Sequence, residues 1–337
     1  MKIAVLMGGA SEERAVSLAS GCEVTEALRR AGHEVVAVDT ARGALSRADE
    51  ARILEDGIRS LPGGVADDES LTTTAATSEI LRDPEVSDAE IFFLTFHGGD
   101  GEDGTIQSLL ELARLPYVGS GPTGCMLAMD KDLSKRLFRD AGIRTPAWLT
   151  GERPAHDVVE ALGWPVVVKP VTGGSSLRLS IAHDEDELAR AVEDVKKGPG
   201  ELMYEGHVRG RELTVAVIGE HTLPVGEIIP EHEYFDYECK YQKGMAQEIF
   251  PADIDEALAR RLRDLAAEIH RLLRLRDFSR VDFIVDERGE PWVLEANALP
   301  GMSGASLVPK AGRAAGMSFP QLCDRIAREA LERLSKE

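Results

Sequence analysis

The sequence predicts a mixed chain, with a parallel α/β sheet first and α+β units after it. Three observations carry this. Near-continuous apolar strands alternate with helical stretches up to about residue 124. From Cys125 onward, strands and helices follow no alternating order. Near the C-terminus, a hairpin has one apolar face and one charged face. Unbroken apolar runs spaced by helices mark strands covered on both faces of a parallel sheet. With 337 residues, 43% of them hydrophobic, the chain has material for two or three cores.

"KIAVLMGG" (2–9) opens as a strand ending in two glycines. Its short apolar run has one Lys and no small-residue cleavage site before charge resumes at Glu12, so it reads as a buried strand and not as a leader. A helical stretch runs to about Arg30. "HEVVAVD" (33–39) and "AEIFFLTFHGG" (89–99) are the second and third strands. "SLPGGVADDESLTTTAATSE" (60–79) is polar and rich in Gly and Thr, and reads as an exposed loop or a lid. A helix is predicted over 125–141, then strands in "TPAWLT" and "WPVVVKP" (164–170), and a Gly/Ser turn leading into a strand in "GGSSLRLSIA" (173–182). "DEDELARAVEDVKK" (184–197) starts acidic and ends basic, as the helix dipole favours. "ELMYEGHV" and "RELTVAVIG" are further strands. Residues 227–251 have no clean period and hold Tyr234, Phe235, Tyr237 and Tyr241; so long a loop is usually functional or disordered. A long helix (253–275), the hairpin and a terminal helix (318–334) complete the chain.

Composition excludes several classes. The formal charge of −20 repels phosphate backbones and disfavours nucleic acid as a partner. Any anionic substrate must then be held by local cations, and with only 10 Lys among 39 basic residues each Lys inside a motif is informative. No run of 18 apolar residues exists to span a membrane. Cys22, Cys125, Cys239 and Cys323 lie far apart, without a C-x-x-C or a paired His spacing, which fits a reduced cytoplasmic protein without a zinc or disulfide framework.

In "SRVDFIVDERGEPWVLEAN", a two-residue turn at Arg288-Gly289 sets Asp282 opposite Glu295 and Arg280 opposite Asn297. The period of two then places these four on one face, with Val281, Phe283, Val285, Trp292, Leu294 and Ala296 on a core face. Opposed carboxylates repel across a ladder. Either a divalent cation resolves this, with hard oxygen ligands suited to Mg²⁺ or Mn²⁺, or the face is solvated and holds an Arg–acid pair.

Lys169 closes an apolar strand and needs an anionic partner. After it, Gly174, Ser175 and Ser176 make either a phosphate-covering loop or an ordinary turn. No G-K-[ST] follows, so this is not a Walker A motif, and "GGASEE" is not G-x-G-x-x-G, which argues against a nicotinamide site. Lys131 suits a site or a solvated helix. Glu13 and His97 follow strand ends, where α/β folds place ligands, and each reads as a substrate contact or a structural residue.

Taken together, "GGASEERAVS", "FHGGDGEDGTIQSLLEL", "PYVGSG", "AMDK", "VVVKPVTGGSS", "GRELTVAV", "FDYECKY", "RVDF", "LEANALPGM" and "SLVPKAGRAAGMSF" resemble the D-alanine–D-alanine ligases of the ATP-grasp superfamily, in order and spacing over nearly the whole chain. The resemblance implies an ATP-grasp fold with an N-terminal Rossmann-like domain (1–124), a central subdomain (125–209) and a C-terminal subdomain (210–337) with a covering loop at about 230–250. It implies that one D-alanine carboxylate attacks the γ-phosphate of ATP, and that the amine of a second D-alanine then attacks the acylphosphate. It also implies a cytoplasmic homodimer serving peptidoglycan synthesis.

By the same resemblance, Asp282, Glu295 and Asn297 hold two Mg²⁺ or Mn²⁺ ions per subunit. Lys131 and Lys169 meet ATP phosphates, as do Gly174, Ser175, Ser176 and Lys240 on the loops around them, while Glu205, Val208 and Glu212 meet adenine and ribose. Arg280 and the Gly301 N–H stabilise the oxyanion. Glu13 binds the first amine, His97 lies on the substrate side, and Ser306 and Leu307 form the second pocket. Lys240 and Tyr241 ride on a loop that ties to Glu13 and Ser175 and keeps water out. Tyr241 favours an amine acceptor over a hydroxyl one. The chain departs from the family pattern at Ala15, at Leu177-Arg178 (often Val-Gly), at Ala298-Leu299, at Ala305 and in a longer stretch around 45–88. A ligase of another amino-acid pair stays open. A nucleotide-binding regulator without turnover is disfavoured, because a binder needs no oxyanion Arg.

Overall fold

The computed structural model describes residues 1–56, 74–242 and 244–336. Among these, the strands form three sheets. The first runs Gly43–Ala44, Glu34–Asp39, Lys2–Met7, Ile91–Leu94, Tyr117–Val118. Lys2–Met7 pairs in parallel with both neighbours, as unbroken apolar strands require. The Gly43–Ala44 edge is antiparallel, a two-residue departure from the all-parallel expectation. Ile3 to Met7 are fully buried. The helices Arg14–Arg30 and Phe319–Leu334 both join this core, the latter through Leu322, Cys323, Ile326, Ala327 and Ala330. The terminal helix therefore packs on the first sheet. Arg333 fixes it by donating to Asp277 at 2.9 Å and to the Tyr117 carbonyl at 3.1 Å.

The second sheet, Trp148–Thr150, Leu202–Gly206, Val166–Pro170 and Ser180–Ala182, is antiparallel throughout. Helix Glu185–Val195 covers it with Leu188, Ala191 and Val195, and is capped by Asp184, which accepts from the Glu187 N–H at 2.8 Å. The third sheet orders Ala246–Ile249, Gly226–Pro230, Gly210–Ile218, Phe278–Asp286 and Pro291–Asn297, with His221–Thr222 paired to Gly210–Ile218. Helix Glu256–Leu272 packs Leu262, Ala266 and Ile269 against it.

Four expectations need correction. The helix expected over 125–141 is two helices, Pro122–Met129 and Lys131–Asp140. Asp130 breaks them with extended backbone and caps the second, accepting from the Leu133 N–H at 2.9 Å. The loop expected over 227–251 is a strand pair, Glu227 opposite Ile249 to Pro230 opposite Ala246, with the short helix Tyr237–Tyr241 between. At that helix His232, Asp236 and Cys239 cluster, and Asp236 accepts from the Cys239 N–H at 2.8 Å. Within the expected loop at 60–79, residues up to 73 lie outside the described set, while Thr74–Ile80 is a helix with Thr77 buried.

The fourth correction concerns the hairpin. Arg280 faces Asn297 and Asp282 faces Glu295, as the sequence predicts. Beyond them the register slips, and Phe283 faces Val293, Ile284 faces Trp292 and Val285 faces Pro291. Leu294 is the extra residue of a β-bulge. The turn is also wider than two residues, because the Asp286 N–H donates to the Glu290 carbonyl at 3.0 Å. Val293 therefore takes the core place expected for Leu294, and Leu294 lines the cleft. Trp292 leaves the core, donating to Asp286 at 3.0 Å with Arg144 over its ring.

Candidate active site

A cleft of about 590 Å³ lies between the second and third sheets. Lys169, Ser176, Glu205, Val208, Glu212, Lys240, Arg280, Asp282 and Glu295, all expected from the sequence, line it. Lys169 finds its anion in Glu205, donating to Oε1 at 3.0 Å. Lys135 holds the other carboxylate oxygen and donates to Thr145 at 2.8 Å. Burial alone would raise the Glu205 pKa, but the two ammonium groups outweigh it and hold the carboxyl below its ordinary range. Burial pushes Lys135 down to about 8 against the pull of Glu205. The sequence reading missed Lys135. Its signal was the i, i+4 spacing from Lys131, which puts both on one helix face.

Lys131 is no solvated helical residue. It is buried at the first position of its helix and donates to the Gly173 carbonyl at 2.6 Å, beside Gly174, Glu295 and Asn297. Burial lowers its pKa. The loop at 173–179 coils tightly, with Ser175, Ser176 and Arg178 all in the left-handed region at φ 50°, 55° and 56°. Ser175 donates to Glu13. Ser176 donates to the Phe235 carbonyl and accepts from Lys240, both at 2.9 Å. Three segments distant in sequence thus meet at two serines.

At the hairpin, Asp282 is nearly saturated. It accepts from Arg280 Nε at 2.9 Å and Nη2 at 2.8 Å, from Asn297 Nδ2 at 3.0 Å and from Thr214 at 2.7 Å. Burial opposes its ionisation, but Arg280 overcomes that and keeps the pKa low. The Arg–acid pair foreseen for a solvated face is therefore present, but it is buried. The Glu295 carboxylate, across the ladder, makes no hydrogen bond or ion pair among the described residues. An unpartnered carboxylate facing a buried one, with the Asn297 amide oxygen beside them, is a donor set that fits a hard divalent cation. Glu212 nearby is pushed up to about 7 by burial and then by Asp282.

A second pocket of about 160 Å³ adjoins the cleft, lined by Glu13, His97, Glu102, Gly174, Ser175, Arg280, Glu295, Gly301, Ser306 and Leu307. Burial and then Arg280 lower the His97 pKa to about 4, so its ring is neutral at pH 7. A Cβ on Gly301 would stand 2.9 Å from Ser306 Oγ and 3.7 Å from His97 Cε1, so only glycine leaves this wall open. Burial raises the Glu13 pKa against the Ser175 hydrogen bond and Lys240. Glu102 is a second residue the sequence reading missed, although it stands in the same "HGGDGEDG" run as His97. Its Oε2 accepts from the Gly98 N–H at 2.5 Å, and burial and then Glu13 push its pKa up to about 8. The departing residues Ala298 and Leu299 are buried in cores and also reach the site: Leu299 lines the smaller pocket, and Ala298 stands beside Lys131, Glu295 and Asn297. The side chain of Tyr241 lies outside the described residues.

Two antiparallel sheets gripping a lysine-lined, nucleotide-sized cleft, attached to an α/β unit that carries Glu13 and His97, define an ATP-grasp fold. The family description "D-ala D-ala ligase N-terminus" matches residues 2–120, and "D-ala D-ala ligase C-terminus" matches 137–328. A D-alanine–D-alanine ligase of Desulfotalea psychrophila is 38% identical over 99% of this chain and 96% of its own length. The crystal structure of D-alanine–D-alanine ligase from Bacillus anthracis superposes with a TM-score of 0.80 at 32% identity, over 100% of this chain and 99% of that one. The same enzyme complexed with ATP gives 0.78 at 30% identity, over 100% and 98%. The chain belongs to the D-alanine–D-alanine ligase family.

Proposed function

We propose that this protein converts ATP and two D-alanines to D-alanyl-D-alanine, ADP and phosphate, for peptidoglycan precursors. One observation carries the reading. Arg280, Glu295, Lys240 and Leu307 form a wall common to the cleft and the smaller pocket, so a γ-phosphate in one and a carboxylate in the other meet at the same residues.

A carboxylate is a poor acyl donor, and phosphorylation gives it a leaving group. Attack of the first carboxylate oxygen on the γ-phosphorus releases ADP and forms an acylphosphate. The second amine then attacks the carbonyl carbon, and phosphate departs. Lys131, Lys169 and Lys240 neutralise the transferring phosphoryl oxygens, since phosphoryl transfer depends on positioning and charge. Glu295 and the Asn297 amide oxygen, with Asp282 exchanging one of its hydrogen bonds for the ion, would hold Mg²⁺ or Mn²⁺, two per subunit, which would supply further neutralisation at the phosphates. Glu205, Val208 and Glu212 meet adenine and ribose. Glu13, supported by Ser175, receives the first ammonium. Neutral His97 orients that substrate, and Ser306 and Leu307 bound the second. Arg280, held rigid by two bonds to Asp282, and the Gly301 N–H face the developing oxyanion. The segment carrying Lys240 and Tyr241 excludes water from the acylphosphate.

Within the same proposal, residues 1–124, 125–209 and 210–337 act as substrate, central and metal-bearing units, and the protein works as a cytoplasmic homodimer. Among the described residues, no helix is long and apolar enough to cross a membrane. ADP release measured with ATP, Mg²⁺ and single amino acids, with product mass, tests the reading. D-alanine-dependent release yielding the dipeptide is expected. Release with another amino acid but not with D-alanine would overturn the substrate assignment.

A further inference from the structure

Arg178 occupies a backbone conformation that suits glycine, with φ 56°. It stands where the family pattern often has glycine. Its guanidinium reaches out of the phosphate-covering loop and makes a bidentate pair with Glu12, Nη2 to Oε1 at 2.6 Å and Nη1 to Oε2 at 3.1 Å. Glu12 adjoins Glu13, whose carboxylate accepts from Ser175. Two consecutive acids of one loop thus clamp two positions, three apart, of another. The route is also cleared from below. A Cβ on Gly198 would lie 2.6 Å from Arg178 Nε and 2.7 Å from Cζ, so the guanidinium lies flat on that glycine.

We propose that Arg178 is a positioning residue, holding the 173–179 loop against the first-sheet unit through Glu12 so that Ser175 stays on Glu13 and the loop stays closed over the acylphosphate. This rests on the ligase reading above. Bidentate Arg–carboxylate pairs fix orientation as well as distance, and here the distance fixed is that between the nucleotide loop and the amino-acid pocket. The strained backbone of Arg178 persists because the side chain is held at its far end.

A double-mutant cycle tests this. Arg178→Gly and Glu12→Gln are each expected to lower kcat/KM for D-alanine about tenfold, and the double variant no further, a coupling that independent sites do not show. Arg178→Lys should keep part of the activity, and the exchanged pair Glu12→Arg/Arg178→Glu should recover part of it. Dipeptide formed per ADP should fall in the single variants as water reaches the acylphosphate. Arg178→Gly should leave the melting temperature unchanged or higher, since glycine fits the backbone. Hydrogen exchange of the 173–179 amides should quicken in Glu12→Gln, a readout that needs no turnover. Additive losses, wild-type kcat/KM in Arg178→Gly, or unchanged exchange in Glu12→Gln would each overturn the role. Absence of D-alanine-dependent ADP release in the wild type would instead overturn the ligase reading, leaving the exchange test standing.

Discussion

At the scale of single residues, Glu295 and Asp282 show how two like groups divide their work. Asp282 spends its lone pairs on Arg280, Asn297 and Thr214. Glu295, directly opposite, keeps its own for the cleft. Replacing Glu295 by Gln removes one of two facing charges without emptying any space. We expect kcat to fall about a thousandfold or more, while urea unfolding shifts by no more than about 1 kcal/mol. Appreciable turnover in that variant would refute the metal role. Most of this site is legible from sequence because its residues stand in short motifs at strand ends. Lys135 is not, because a lysine four residues along a helix from another looks the same whether it meets solvent or a buried Glu205. Glu102 is not, because an acid in a Gly/Asp-rich run reads as loop until its burial is known.

At the scale of elements, the hairpin was read correctly near the site and wrongly near the turn, and the bulge at Leu294 is the reason. Alternation of period two specifies faces only while the ladder is unbroken. The wider turn and the extra residue cancel in register at Asp282 and Glu295, so a two-residue turn and the true one predict the same pairing there. They differ on which neighbour is core. Val293 is fully buried, so Val293→Ala should cost about 2 kcal/mol of stability with little change in KM for ATP. Leu294→Ala should cost less than about 1 kcal/mol and raise KM for ATP. The reverse pattern in urea unfolding and steady-state kinetics would restore the unbroken ladder. The helix break at Asp130 was hidden in the same way, since "AMDK" keeps helical apolar spacing and only the capping bond marks the stop.

At the scale of the whole molecule, the buried histidines make stability depend on pH. His270 lies 2.7 Å from Ser279 Oγ in the third sheet's core, and burial, then Arg271, lower its pKa to about 4 from an ordinary 6.5. The unfolded chain therefore takes up a proton that the folded one refuses. The contribution is fully present above about pH 6.5 and is lost as pH falls toward 4. Between pH 7.5 and 5, His270→Gln should lose about 2 kcal/mol less stability than the wild type, and an equal loss in both would exclude His270 as the source. The alternation of strands and helices revealed the first sheet. It did not reveal that the terminal helix belongs to that sheet's core, because an amphipathic stripe does not name its partner.

That helix has a consequence for the order in which the molecule is made. About 200 residues lie between Val118 and Phe319, and at about 5–20 residues per second a ribosome needs some 10–40 s to cross them. Throughout that interval the face formed by the Arg14–Arg30 helix and the central strands has been synthesised, but its cover, Leu322 to Ala330, has not. That face is thus sealed long after it is made, and His33 meets Asp324, 2.7 Å apart, only once residue 324 has been added.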